Sequence, residues 1–173
     1  MLARATGWPM LDKDTLTRPI VEAALEILGQ SPHDRESDAY LKLVRPREYE
    51  ALSAAAEENV QCGNSVIVTA PFIAEFQDRQ WLDRTRARFT GMGASLSLVW
   101  VYCDADTMNL YLRRRGAARD AAKLADWPAY LSRIDTGFRP PAQHTVINNC
   151  VSAKPLQEQA EVLVKSLMGL ELD

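Results

Sequence analysis

The sequence predicts an α/β fold, a three-layer α/β/α sandwich around a mainly parallel sheet. Three observations predict it. Short β-rich runs alternate with amphipathic helical patterns along the whole chain. The runs at Ser65–Pro71 and Leu96–Cys103 are nearly continuously apolar, as expected of strands buried on both faces. Helix-length segments separate the strands, so successive strands need crossover connections and lie parallel. No repeat, low-complexity tract or linker interrupts the 173 residues, so 1–173 is expected to form one domain.

Trp8-Pro9-Met10-Leu11 is the first predicted strand, running into Asp12-Lys13-Asp14. Ile20, Val21, Ala24, Leu25 and Leu28 then recur at helical spacing, and Gly29 is the stop signal. Ser31 to Ser37 is polar and turn-like. A second helix is expected from about Arg45 to Val60, with Tyr49, Leu52, Ala56 and Val60 on one face. The strand at Ser65–Pro71 follows, then an arginine-rich amphipathic helix over 78–90 that Gly91-Met92-Gly93 closes. Leu96–Cys103 is the strongest strand in the sequence. It leads into Asp104-Ala105-Asp106, a cap for a helix running through Tyr111 to Arg115. Asp126-Trp127-Pro128 marks another helix start. His144–Asn148 is the last strand, and Leu156, Ala160, Leu163, Val164 and Leu167 define a C-terminal helix.

Composition excludes several classes. A net charge of −3, with no run of more than three like charges, argues against a nucleic-acid or membrane surface. Three scattered cysteines without CxxC spacing, and two histidines, do not make a structural zinc site. Cys103 and Cys150 end apolar runs and read as reduced core residues, which suits a reducing compartment. No apolar run approaches the ~20 residues of a membrane span and no signal-peptide pattern opens the chain, so a cytoplasmic location is expected.

Ligands of parallel α/β sheets bind beyond the carboxyl ends of the strands. Asp12 and Asp14 occupy the first such position. Residues two apart in an extended segment share a face, so either carboxylate could take a proton from a substrate hydroxyl or hold a metal-bound water. Either could equally cap the helix that follows. Arg115 and Arg119 belong to the cluster Arg113-Arg114-Arg115-Gly116-Ala117-Ala118-Arg119-Asp120. On a continuous helix they would face the same way, suited to phosphate oxygens. The alternative is a solvated face with Arg119 paired to Asp120 or another acid.

Three segments occur in order: Gly7–Asp14, Ser65–Pro71 and Arg115–Trp127. Together they resemble the bacterial P-loop kinase-like ATP-binding proteins of the AAA-33 type, related to polynucleotide kinase, zeta toxins and chloramphenicol phosphotransferase. The resemblance implies a P-loop NTPase-like sheet and an ATP-dependent phosphotransferase that acts on a hydroxyl of a small molecule, with ATP and Mg2+ as cofactors. It further implies Asp14 as general base, with Asp12 and Arg18 on the acceptor side. Thr17 stands where the polynucleotide kinase branch has its acceptor arginine. Arg115 and Arg119 match the lid arginines, in a lid region of about 111–130, and Asn148-Asn149 matches the place that holds adenine. Ala70 stands where the polynucleotide kinase branch carries an Asp, which speaks against a nucleic-acid acceptor.

The resemblance has one gap. A glycine-rich GxxxxGK loop followed by Ser or Thr would supply N–H groups and a lysine to the phosphates, and the sequence contains no such pattern. Met1–Trp8 resembles the end of the helix that normally follows it. The expectation is a chain without the family's first strand and phosphate loop, its sheet rearranged or completed by a homodimer or domain swap. The alternative function is a non-catalytic relic or binding module. A methyltransferase-like Rossmann enzyme is disfavoured because no GxGxxG follows a strand.

Overall fold

The structure is a computed structural model that describes residues 1–169, apart from the side chains of Arg119 and Ala122. It is mixed α/β with parallel strand pairs, as the sequence predicts. The strands do not join one ladder among the described residues: β1 (Met10–Asp12) pairs with β2 (Ile67–Thr69), and β3 (Val99–Tyr102) pairs with β4 (Thr145–Asn148). Correspondingly, the chain forms two compact units, one of 7–73 with 85–95, the other of 1–6, 74–84 and 96–173.

In the unit of 7–73 and 85–95, α2 (Lys13–Ile27) and α3 (Arg45–Gln61) pack on each other and on β1. Asp12 ends the strand and starts α2, its Oδ1 accepting from Thr15 N at 2.8 Å. The apolar stripe of α2 is buried through Val21 and Leu25, which cluster with Tyr40, while Leu52 and Ala56 bury the matching face of α3. The helix stop at Gly29 takes φ 70°, a conformation open to glycine.

A π-helical turn at Tyr40–Val44 precedes α3. Arg45 N–H reaches back five residues to Tyr40 O, and the next residue, Pro46, has no N–H to close a normal turn. The run Tyr40-Leu41-Lys42-Leu43-Val44 carries no periodicity that announces this turn.

In the other unit, β4 packs against α9 (Leu156–Leu167), and α9 against α1 (Leu2–Thr6). Gln159 of α9 clamps the end of β4, accepting from Asn148 N at 2.8 Å and donating to Asn148 O at 2.9 Å. Leu98 and Leu163 are buried here. Phe76 of α4 (Ile73–Gln77) stacks at a tilt on Trp100 of β3, centroids 6.3 Å apart. α5 (Arg79–Gly91) begins in this unit, where Leu82 is buried. α6 (Ala105–Arg115) starts at Asp104, whose Oδ1 accepts from Thr107 N at 2.7 Å. After it come a 3-10 turn at Ala118–Asp120, then α7 (Ala121–Ala125) and α8 (Trp127–Leu131). Among the described residues no helix is long and apolar enough to cross a membrane.

Candidate functional site

Each unit carries a cluster at the carboxyl ends of its strand pair, as the parallel topology requires. Beyond β1, Asp12 is committed to capping, while Asp14 stands in the first turn of α2 with its side chain 32% exposed. Lys13 between them is turned inward and only 5% exposed. Its Nζ lies 3.0 Å from Glu48 Oε1 and 3.2 Å from Asp14 Oδ1. One ammonium therefore joins a buried carboxylate to a half-exposed one.

Glu48 is 4% exposed and fully engaged. The Thr17 hydroxyl lies 2.7 Å from Glu48 Oε1 and 2.7 Å from Lys13 O, sharing its one proton between them. Tyr40 OH donates to Glu48 Oε2 at 2.7 Å. Burial, and after it the Glu48 carboxylate, push the Tyr40 phenol well above its ordinary value, so it remains a donor. Tyr49 forms one side of this end: its ring meets Phe72 edge-on at 5.4 Å and carries the Arg45 guanidinium at 4.3 Å. Phe72, three residues past β2, has φ 51°, a left-handed conformation that a bulky residue rarely adopts. Arg18 lies one turn beyond Asp14, is exposed, and makes no ion pair among the described residues.

At the ends of β3 and β4 lies a cavity of about 220 Å³ lined by Cys103, Met108, Tyr111, Leu112, Arg115 and Asn149. Its walls are mostly apolar, with one cation and one amide. Asn148 itself is engaged in the loop, its Oδ1 accepting from Cys150 N at 3.0 Å. Its neighbour Asn149 supplies the amide on the wall.

Hydrogen bonding between the Asp104 carboxylate and the Cys150 thiol is the main cause that lowers Asp104 and raises Cys150. Burial, followed by Cys150 and Asp104, pushes the Cys103 thiol up to about 11. Raised thiols carry little thiolate at neutral pH and are poor nucleophiles.

The reading of Arg115 and Arg119 as neighbours on one helix face is corrected. α6 ends at Arg115 because Gly116 takes the left-handed φ 61° and closes the helix with its N–H on Leu112 O. Arg119 falls in the separate 3-10 turn, and its side chain lies outside the described residues. Arg115 is held instead by Asp120, whose Oδ2 accepts from Nε at 2.9 Å and Nη2 at 2.5 Å.

Sequence reasoning named Asp12, Asp14, Arg18, Arg115, Arg119 and the pair Asn148-Asn149, and missed Lys13, Glu48 and Tyr40. The signal available for Glu48 was its place beside Tyr49 and one turn before Leu52 on the buried face of α3, an unusual position for a carboxylate.

Against known proteins, the model of an AAA domain family (AAA_33) matches residues 1–136. No curated protein matches the chain. Among solved structures, the chain is similar to the 1.70 Å crystal structure of a candidate kinase from Chloroflexus aurantiacus J-10-fl. The TM-score is 0.62 at 16% identity, covering 98% of this chain and 87% of that one. At that identity the likeness is one of fold.

Proposed function

Since the chain belongs to the AAA_33 family of AAA domains, which is P-loop kinase-like, we propose that it is a phosphotransferase moving a phosphoryl group from ATP to a hydroxyl of a small molecule. The observation that carries this reading is the cavity beyond β3 and β4, apolar enough for a base and bearing Arg115 on its wall.

The residues fit the nucleotide in part. Tyr111, Met108 and Leu112 would pack on adenine, the Asn149 amide would meet its polar edge, and Arg115 would meet phosphate oxygens. Bound ATP supplies the phosphoryl group and its leaving diphosphate. No cluster of three or more His, Cys, Asp or Glu suited to a metal occurs among the described residues. Mg2+ would therefore enter with the nucleotide, held largely by phosphate and water.

In the unit that carries β1, Asp14 is the general base for the acceptor hydroxyl. Lys13 keeps that carboxylate paired on one oxygen. Arg18, on the same face of α2 one turn on, is the acceptor-side cation. The unbridged thiols of Cys62, Cys103 and Cys150 suit a reducing, cytoplasmic setting, and a homodimer or strand exchange is part of the same reading.

The absence of a GxxxxGK pattern from this sequence favours a second reading, a non-catalytic relic or binding module of the same fold with little affinity for ATP. Calorimetric titration with Mg-ATP, followed by transfer of labelled γ-phosphate to a panel of hydroxyl compounds, separates the two. Micromolar binding with transfer is expected, and Asp14→Asn should keep the binding and lose the transfer. Binding without transfer to any acceptor overturns the phosphotransferase, and absence of binding supports the relic.

A further inference from the structure

Asp120 is fully buried, 0% exposed, in the turn between α6 and α7. Burying a carboxylate costs several kcal/mol unless partners compensate. Asp120 is compensated one-sidedly. Arg115 places two N–H groups on the single oxygen Oδ2, while Oδ1 accepts no hydrogen bond among the described residues. Lys123 Nζ stands 3.7 Å from that second oxygen, close enough for an ion pair.

Geometry on the arginine side is equally lopsided. With Nε and Nη2 on Asp120, Nη1 has no partner among the described residues. The Arg115 side chain remains 48% exposed and lines the cavity. A fork-to-fork structural ion pair would use both carboxylate oxygens. Here the guanidinium is anchored from behind, with one NH2 group left over.

We infer that Asp120 is a positioning residue for anion binding: it fixes Arg115 on the cavity wall, so that the guanidinium is set before a phosphate arrives. This rests on the nucleotide reading above. A free arginine loses rotamer freedom when it engages a ligand, and anchoring on Asp120 removes that loss in advance. Gly116 and the 3-10 turn fold the chain back so that a residue five positions on can reach Arg115.

The test is calorimetric titration of the full chain with Mg-ATP and, separately, with adenosine, which has the base but no phosphate. Asp120→Asn keeps the shape and removes the charge. It should weaken Mg-ATP binding about tenfold, the scale of one charge-assisted hydrogen bond, and leave adenosine affinity within about twofold. Arg115→Gln should cost a similar factor, and the double variant no more than Arg115→Gln alone, because Asp120 acts through Arg115. Arg115→Lys, which keeps the charge and loses the fork, reports on the same contact should Asp120→Asn fail to fold, and should also lose about tenfold for Mg-ATP alone. Equal losses for adenosine and Mg-ATP, additive losses in the double variant, or unchanged Mg-ATP binding in Asp120→Asn or Arg115→Lys overturns the inference while the nucleotide reading stands. Failure of the unaltered protein to bind Mg-ATP removes both.

Discussion

Lys13 Nζ and Glu48 Oε1 lie 3.0 Å apart with both side chains under a tenth exposed, joining the start of α2 to the first turn of α3. This pair holds the β1 end of its unit. It sets the geometry around Asp14, because the same ammonium reaches that carboxylate. A buried pair of this kind adds little net stability over an apolar contact of equal shape, but losing one member leaves a charge stranded.

Glu48→Ala should therefore destabilise the protein by about 3–5 kcal/mol, because Lys13 keeps only the part-exposed Asp14 carboxylate and Tyr40 and Thr17 lose their buried acceptor. Lys13→Met combined with Glu48→Leu should recover much of that loss. Urea unfolding of the three proteins reads the difference, and a double variant as unstable as Glu48→Ala would refute the stranded-charge explanation.

Tyr40 makes an alkaline prediction. Its phenol is raised in the folded protein, first by burial and then by Glu48. The folded state keeps the proton where the unfolded chain gives it up at about pH 10. The proton bound in the folded state favours folding fully below that pH, and the contribution is lost as pH rises above it. Tyr40→Phe should be less stable at neutral pH by about 1–3 kcal/mol, since Glu48 Oε2 loses a donor. It should also lose less stability than the parent between pH 9 and 11 in urea melts, where pH values are chosen from the ~10 reference.

Asp12 and Asp14 should respond differently to the same chemistry. Asp12 caps α2 through Thr15 N, and Asn is as good an N-cap as Asp. Asp12→Asn should be near neutral for stability and Asp12→Ala should cost about 1 kcal/mol. Thermal melts of both decide it: a costly Asp12→Asn would mean that the carboxylate charge, rather than the cap, holds this end.

The cysteines should label in sequence. Cys62 is exposed, whereas Cys103 is raised from 9.0 to about 11 by burial and by Cys150 and Asp104. Only the thiolate reacts, so a two-unit rise means about a hundredfold less thiolate at neutral pH. Timed iodoacetamide labelling with peptide mapping should find Cys62 modified well before Cys103. Equal rates would contradict the burial of the thiol.

Local chemistry was legible along the chain. Gly29 as a helix stop, Asp104 and Asp126 at helix starts, and the apolar stripe of α2 follow from propensities that act within a few residues. The strands, their parallel sense and the strand-end location of Asp14 and Asn149 follow from the alternation of elements. The π turn at Tyr40–Val44 was not legible, because it depends on where Pro46 interrupts a ladder already formed.

The sequence by itself determined the mixed α/β class and the residues bordering each strand end, because periodicity and caps are short-range properties. Only the tertiary structure decided which charged side chains turn inward. Glu48 approaches Lys13 across 35 positions in sequence, and Asp120 reaches Arg115 through a left-handed glycine and a 3-10 turn. Burial of a charge depends on partners brought together by folding, and no local pattern encodes that pairing.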